Sequence, residues 1–133
     1  MALLMPWYVF LFVGALDWGF FAHGLISTAG AARVVALYTS ADATKTAVNS
    51  TNDTNTCTLA LDELRFAAND LTSQTTCGGT SSVSVTYAPL TGVDGGAATS
   101  VTVTYKTLQL IPIPGVLGNQ FTFTKTVQMR LRS

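Results

Sequence analysis

The stretch "ALLMPWYVFLFVGALDWGFFAHGLI" (residues 2–26) is apolar almost throughout and carries one charged residue, Asp17. An apolar run of this length can span the roughly 30 Å hydrocarbon core of a membrane as a helix. Pro6 fits such a helix within its first turn. A cleavable secretory signal begins with basic residues and has a shorter apolar core, whereas no Lys or Arg precedes Arg33. The stretch therefore predicts a membrane-spanning helix rather than an ordinary signal peptide.

The helical pattern continues beyond residue 26. The next segment contains good helix formers and no proline, and Ala32, Val35, Ala36 and Tyr38 or Thr39 recur at helical spacing. We therefore expect one helix from about residue 2 to about residue 46, on the order of 65 Å long at 1.5 Å per residue. Its first half should protrude, and its second half should lie against a soluble domain.

Charge is distributed unevenly along the chain. Of the 14 charged residues (7 basic and 7 acidic), the first 32 positions hold only Asp17, and the rest of the chain is rich in Thr, Ser and Asn. This pattern indicates two parts, an N-terminal hydrophobic helix (residues 1–46) and a C-terminal globular domain (residues 47–133). Because the net charge is zero, there is no electrostatic reason to expect nucleic acid as a partner.

The globular part begins with "NSTNDTNT" (residues 49–56), which is typical of a turn-rich linker. Asn49 and Asn52 each begin an Asn-X-Thr/Ser sequon, so both are candidate glycosylation sites. Such sequons also arise by chance in sequence rich in Thr and Asn. Residues 59–71, "LALDELRFAANDL", place most of their apolar side chains on one face and predict a short amphipathic helix.

Three later segments alternate apolar and polar residues, as strands with one buried face do. They are "SVSVTYAP" (residues 82–89), "SVTVTYKTLQL" (residues 100–110) and "QFTFTKTVQMRLR" (residues 120–132), joined through "TGVDGG" and "IPIPGVLGN". An antiparallel sheet with one apolar face needs a cover, which the two helices can supply. The predicted fold class is α+β: a long N-terminal hydrophobic helix packed on a small antiparallel sheet, with a short amphipathic helix.

Cys57 and Cys77 are the only cysteines, and both lie in polar, threonine-rich sequence. A metal site would need further ligands nearby, but the only histidine is far upstream. We expect a structural disulfide, which indicates an oxidising compartment; the alternative is two free thiols. Closing a loop of about 20 residues should stabilise the fold by roughly 3 kcal/mol in the chain-entropy model.

The N-terminal stretch resembles the signature of TadE-like proteins, pilin-related subunits of the tight-adherence branch of type IV pilus systems. That signature has an "ALxxP" start, an apolar run, a Gly and an acidic residue followed by an aromatic and Gly, and an Ala- and Arg-containing end. The matching positions here are Ala2, Leu3, Pro6, Gly14, Asp17, Trp18, Gly19, Ala31, Ala32, Arg33, Ala36 and Tyr38. The two C-terminal strand segments also resemble the closing strands of that family.

The resemblance implies a pilin-like fold and a structural subunit of an extracellular Tad-type filament on a bacterial cell surface. Such a subunit is a single-pass inner-membrane protein before a prepilin peptidase and the pilus assembly machinery act on it. It then forms a helical homo-oligomer through its N-terminal helices. The alternatives are a minor pseudopilin of the same machinery and a single-pass, membrane-anchored extracytoplasmic binding domain.

The chain departs from the family pattern at one position. Aligning Pro6 places the glutamate of the family just before Met1. Either the glutamate precedes Met1 in a longer chain, or processing occurs at an unusual place. If Met1 is the mature N-terminus, Asp17 is the only carboxylate inside the helical core. We expect the Met1 amine or Arg33 of a neighbouring subunit, or His23 nearby, to neutralise it; the alternative is a local hydrogen bond of Asp17 near a membrane interface.

Small residues on the first helix are candidates for close helix packing. Ala15 and Gly19 form a small-xxx-small pair, and Gly14 and Gly24 are further positions where the helix is narrow enough for close approach. The alternative is that glycine is simply common in membrane helices.

An enzyme is not expected. The single histidine lies in the apolar segment, no Gly-rich phosphate loop follows a strand, and Asp62 and Glu63 are adjacent on a helix and so diverge. We therefore predict no catalytic, cofactor-binding or metal-binding residues.

Overall fold

The computed structural model describes residues 4–65, 71, 73–107 and 121–132. Two α-helices, α1 (Met5–Ser40) and α2 (Ser50–Arg65), precede three strands, β1 (Val83–Thr91), β2 (Ala97–Lys106) and β3 (Thr122–Arg130). A short 3-10 helix (Ala43–Thr46) lies between the two α-helices. The fold class is α+β and is consistent with a pilin-like fold, as predicted.

Helix α1 contains 36 residues, and Pro6 lies in its first turn as expected. The prediction that the helix reaches residue 46 was wrong, because α1 ends at Ser40. Asp42 adopts an extended conformation, and its carboxylate accepts a hydrogen bond from the Thr44 backbone N–H at 3.0 Å. This N-cap begins the 3-10 helix and so stops α1 from continuing. The hydrogen bonds from Thr44 also lower the pKa of the Asp42 carboxyl group.

Helix α2 begins earlier than predicted. Residues 50–56 were expected to belong to a linker, but they form the first turns of this helix. The Asn49 side chain accepts a hydrogen bond from the Asn52 backbone N–H at 2.8 Å, so it caps the helix start. Leu61 and Leu64 are buried as the amphipathic pattern predicts. The predicted helix end falls partly on residues 66–70, which lie outside the described residues.

The three strands form one antiparallel sheet in the order β1-β2-β3, as predicted. In the sheet register, Tyr105 of β2 is paired with Val83 of β1 and with Phe123 of β3. Val101 of β2 is paired with Tyr87 of β1. These apolar side chains share the inner face because side chains alternate between faces along a strand. The predicted connection at residues 111–119 lies outside the described residues.

The hydrophobic core lies between the inner face of the sheet, α2 and the second half of α1. The α1 side of this core consists of small or branched side chains, which let the helix lie close to its neighbours. The buried residues of this core are Ala31, Ala32, Val35, Ala36, Cys57, Ala60, Leu61, Leu64, Leu71, Val83, Tyr87, Val101, Val103, Tyr105 and Phe123. The second half of α1 is therefore an integral part of the globular unit.

Cys57 of α2 and Cys77 of the segment before β1 form a disulfide, as predicted, with their Cα atoms 5.6 Å apart. The bond ties α2 to the chain that enters the sheet. It lies across a sequence separation of 20 residues. It therefore constrains the part of the chain that connects the helical and β layers.

The outer face of the sheet carries hydroxyl groups in register across the strands. Thr102 and Thr126 are hydrogen-bonded at 2.9 Å, and Thr104 and Thr124 at 3.2 Å. This face is polar and at least partly exposed, in contrast to the apolar inner face that the helices cover.

Candidate functional site: the exposed half of the first helix

The N-terminal half of α1 projects from the globular unit with large apolar side chains exposed around the helix. Phe10 is 66% exposed and Trp18 is 73% exposed. The exposed large apolar side chains of this half are Leu4, Met5, Trp7, Tyr8, Val9, Phe10, Leu11, Phe12, Leu16, Trp18 and Phe20. Exposed apolar area of this extent marks a surface that contacts lipid or other protein.

Among the described residues, α1 is the one helix that is long and apolar enough to cross a membrane. The mean hydropathy of its best 18-residue window is 1.7, and only 6% of that window is buried within the protein. A buried core helix of a soluble protein would instead be covered by its own domain. The helix is therefore consistent with single-pass membrane anchoring near the N-terminus.

Asp17 lies on the side of α1 that faces the globular unit. At about 100° per residue, it falls on the same face as Gly24, Thr28 and Val35, which are buried against that unit. Asp17 itself is N-terminal to the sheet and stays partly exposed. The carboxylate therefore lies on the same face as the packed residues, but in the N-terminal half of α1, which the rest of the protomer leaves uncovered.

The predicted charge partners are not brought to Asp17 within one protomer. Arg33 is 16 residues away, about 24 Å along a helix, and His23 is six residues away on a different face. Among the described residues, no hydrogen bond or ion pair is formed by the side chains of Asp17, His23 or Arg33. The other candidate, Met1, lies outside the described residues. Pairing of Asp17 with a neighbouring subunit stays a prediction.

The four predicted packing residues divide into two groups. Gly14, Ala15 and Gly19 are exposed, and a Cβ atom added to either glycine would meet nothing within 4 Å. Gly24 is buried, and a Cβ atom there would lie 2.8 Å from Cε2 of Phe123. Gly24 therefore serves contact between α1 and the sheet within the protomer. The other three residues are free to contact a second helix.

A second exposed face of α1 was missed in the sequence. Ile26 is 71% exposed and Leu37 is 57% exposed, although both lie in the half of the helix that packs on the sheet. Together with Ala15, Gly19 and Arg33 they share one face, opposite the face of Asp17. The spacing of these residues was visible in the sequence. It could not be interpreted before the buried face of the helix was known.

The two candidate glycosylation sites differ in their environments. Asn52 is 7% exposed, and its side-chain nitrogen donates hydrogen bonds to the carbonyl groups of Thr44 at 3.0 Å and Ala47 at 2.8 Å. A glycan on this nitrogen would break at least one of these bonds and would need space that the fold occupies. Asn49 is exposed, so glycosylation there stays a prediction.

A cleft of about 500 Å³ lies between α2, the segment around Cys77 and β1. On its wall, the Tyr87 hydroxyl donates a hydrogen bond of 2.6 Å to the Asp53 carboxylate. Burial, together with this hydrogen bond and the carboxylate charge, raises the pKa of Tyr87 to about 12. The phenol is therefore protonated at neutral pH, so this pair is a structural hydrogen bond rather than a general base or nucleophile.

Comparisons with known proteins give no relative for this chain. No protein-family model matches it, and no match was found among curated proteins or among solved structures.

Proposed function

We propose that this protein is a structural subunit of a type IV pilus-like, Tad-type filament, in which α1 packs against the α1 helices of other copies. The observation that carries this proposal is the division of α1 into two halves. The C-terminal half is built into the globular core, whereas the N-terminal half is apolar on all sides and uncovered. A filament of parallel helices would cover that half with protein.

The chemistry of the exposed half supports protein rather than lipid as its final environment. A carboxylate at the centre of a bilayer costs about 2.5–3.5 kcal/mol on insertion scales, whereas a protein neighbour can supply a compensating cation. Gly14, Ala15 and Gly19 offer a thin surface where a second helix can approach closely. In this proposal the Asp17 carboxylate modestly destabilises the membrane-inserted subunit before assembly. After assembly it forms a contact that fixes the register between subunits.

The subunit would exist first as a single-pass inner-membrane protein with its globular unit outside the cytoplasm. The disulfide between Cys57 and Cys77 supports that placement, since such bonds persist in oxidising compartments. A prepilin peptidase and the pilus assembly machinery would then act on it. The product would be an extracellular filament with the helices inside and the hydroxyl-bearing sheet face on the surface.

A second candidate is a permanently membrane-anchored binding domain. The cleft between α2 and β1 supports a binding function, because it is the kind of concave surface in which small ligands bind. A minor pseudopilin of the same machinery would share the architecture of the main candidate. It would differ in being present in few copies per filament.

Mechanical shearing of cells separates these functions. If the protein forms filaments, most of the assembled material should appear in the sheared extracellular fraction as the main filament component. A permanently anchored domain would remain entirely with the membranes. A minor pseudopilin would appear in the sheared fraction only in trace amounts relative to another subunit.

Asp17→Asn and Asp62→Asn form a matched pair of variants for this experiment. Both remove one carboxylate while keeping side-chain size, but Asp62 lies on α2 and forms an exposed ion pair with Arg65, which contributes little. We expect Asp17→Asn to reduce the sheared protein strongly while its membrane level is unchanged. Asp62→Asn should behave like the wild type. Equal filament yields from the two variants would contradict the role proposed for Asp17.

A further inference from the structure

Helix α1 has two opposite faces that are both incomplete. One face carries Asp17 and is covered by the sheet only from Phe21 and Gly24 onward, where both contact Phe123. The other face carries Ile26, Arg33 and Leu37 and is exposed beside the globular unit. The part of the Asp17 face that the sheet leaves uncovered lies in the N-terminal half of α1. The exposed Arg33 face lies in the C-terminal half.

The two faces are complementary in chemistry. Ile26 and Leu37 lie on either side of Arg33, so the exposed centre of this surface is apolar with one cation. The Glu63 side chain of α2 lies over Gly30 at the edge of this surface, and among the described residues it forms no ion pair with Arg33. The N-terminal half of α1 is apolar with one anion, Asp17, as its only charge. An apolar partner with a single acidic group is complementary to the exposed Arg33 surface, and this chain contains such a segment.

The two faces are also complementary in direction. In a bundle of parallel helices with the globular units outside, the Asp17 face points outward and the Arg33 face points inward. The N-terminal half of one copy can thus lie beneath the C-terminal half of another. A shift of 16 residues, about 24 Å along the helix axis, brings Asp17 of one copy level with Arg33 of the next.

We propose that the Asp17 carboxylate of one copy pairs with the Arg33 guanidinium of a second copy, with their α1 helices parallel and staggered by about 24 Å. This inference rests on the proposed filament function and names the partner and register of its main contact. Arginine and carboxylate groups form directional, often bidentate pairs, so the contact fixes register as well as neutralising charge.

Steric considerations exclude His23 as the partner of Asp17 in this arrangement. Pairing with His23 requires a stagger of six residues, about 9 Å. Residues 27–40 of the second copy would then lie level with Phe21 and the residues after it in the first copy. The first copy's own sheet covers that face from Phe21 onward. The longer stagger brings only Leu37 and the last turn of the second helix to that level.

Cross-linking tests this register directly. The chain's own cysteines are bonded to each other, so cysteines placed on α1 supply the reactive thiols. Phe10→Cys combined with Ile26→Cys keeps Asp17 and Arg33 intact and places exposed thiols on the same two faces, 16 residues apart. This pair should give a ladder of dimers and higher oligomers with a short bis-maleimide. The two positions are too far apart to join within one chain. Phe10→Cys combined with Leu37→Cys, the matched control, is about 16 Å out of register and should give at least tenfold less product.

A charge exchange tests the pair without cysteines. Asp17→Arg and Arg33→Asp should each reduce the protein in the sheared fraction at least tenfold, and the double variant should recover at least half of the wild-type yield. If wild-type protein is present in the sheared fraction, then no 10–26 ladder, an equal or stronger 10–37 ladder, or no recovery in the double variant would overturn this register alone. Absence of the wild type from that fraction would overturn the filament function as well.

Discussion

A Cβ atom added to Gly24 would lie 2.8 Å from Cε2 of Phe123, closer than carbon atoms normally approach. The Phe123 ring is held from its other sides by an edge-on contact with Phe21, at 5.1 Å between centroids, and by Tyr105 stacked at 6.5 Å. Because the ring has neighbours on several sides, it has little room to move away. Gly24 thus lets the helix rest directly on β3 at the point where α1 leaves the globular unit.

The variant Gly24→Ala should lower the stability of the globular unit. Overpacking of a core typically costs about 1–3 kcal/mol, which exceeds the roughly 1 kcal/mol that alanine contributes over glycine in a helix. Denaturant unfolding of the full chain in detergent, followed by the near-ultraviolet signal of the aromatic side chains, measures the change.

Gly19→Ala is the matched control, because a Cβ atom there would meet nothing within 4 Å. It should leave the unfolding of the globular unit unchanged. If Gly24→Ala unfolds at the same denaturant concentration as Gly19→Ala, the close contact with Phe123 is not important for stability.

The functions of these glycines could not be separated from the sequence. All of them occur in one apolar helix and fit the same small-residue pattern. Which of them faces the sheet depends on where β3 lies relative to the helix, and that contact joins residues about 100 positions apart in the chain. The sequence pattern therefore does not distinguish Gly24 from Gly14 and Gly19, although the contact of Gly24 lies within the protomer.

Removing the disulfide should destabilise the fold. The bond closes a loop of 20 residues between α2 and the segment before β1, so the double variant Cys57→Ala, Cys77→Ala should lose roughly 3 kcal/mol. Thermal unfolding of the oxidised wild type, the reduced wild type and the double variant measures this. Equal unfolding temperatures for all three would show that the bond adds no stability.

The hydrogen bond between Tyr87 and Asp53 should make stability depend on pH in the alkaline range. The pKa of Tyr87 is raised from 10.0 to about 12 in the folded protein, so the folded state holds this proton more tightly than the unfolded state. The resulting stabilisation is fully present below pH 10 and is lost as pH rises through about 12.

Tyr87→Phe is the control for this titration. At pH 8 it should be less stable than the wild type by about 1.5–3 kcal/mol, the usual contribution of a hydrogen bond to a charged group. The difference between the two proteins should shrink steadily above pH 10. A difference that stays constant up to pH 12 would contradict the assigned role of the phenolic proton.

Asn52 should be important for the turn that joins α1 and α2. Its side-chain nitrogen satisfies two carbonyl groups, those of Thr44 and Ala47, and Asn52→Ala would leave them without this donor. We expect a loss of about 1–3 kcal/mol. Peptide mass spectrometry of the natural protein should find Asn52 unmodified, and a glycan at this position would contradict the buried environment.

The sequence predicted which helices and strands form better than it predicted the residues at which they begin and end. Periodicity identified α2 and the three strands of the described residues, because each has an apolar face. The N-terminal half of α1 was identified by the length of its apolar run instead, since it is apolar on all sides. The end of α1 was predicted too late and the start of α2 too late as well, since both boundaries depend on polar side chains. Asp42 and Asn49 each cap a new helix by binding a backbone N–H group, and each lies in polar sequence that is equally typical of a loop.

Electron cryomicroscopy of filaments sheared from cells tests the filament function most directly. We expect a core of parallel α1 helices, with the N-terminal half of each helix covered by other copies, Asp17 facing Arg33 of a neighbour, and the sheets outside. Filaments whose core is built from another part of the chain, or cells that shed none of this protein while their membranes retain it, would contradict the proposed function.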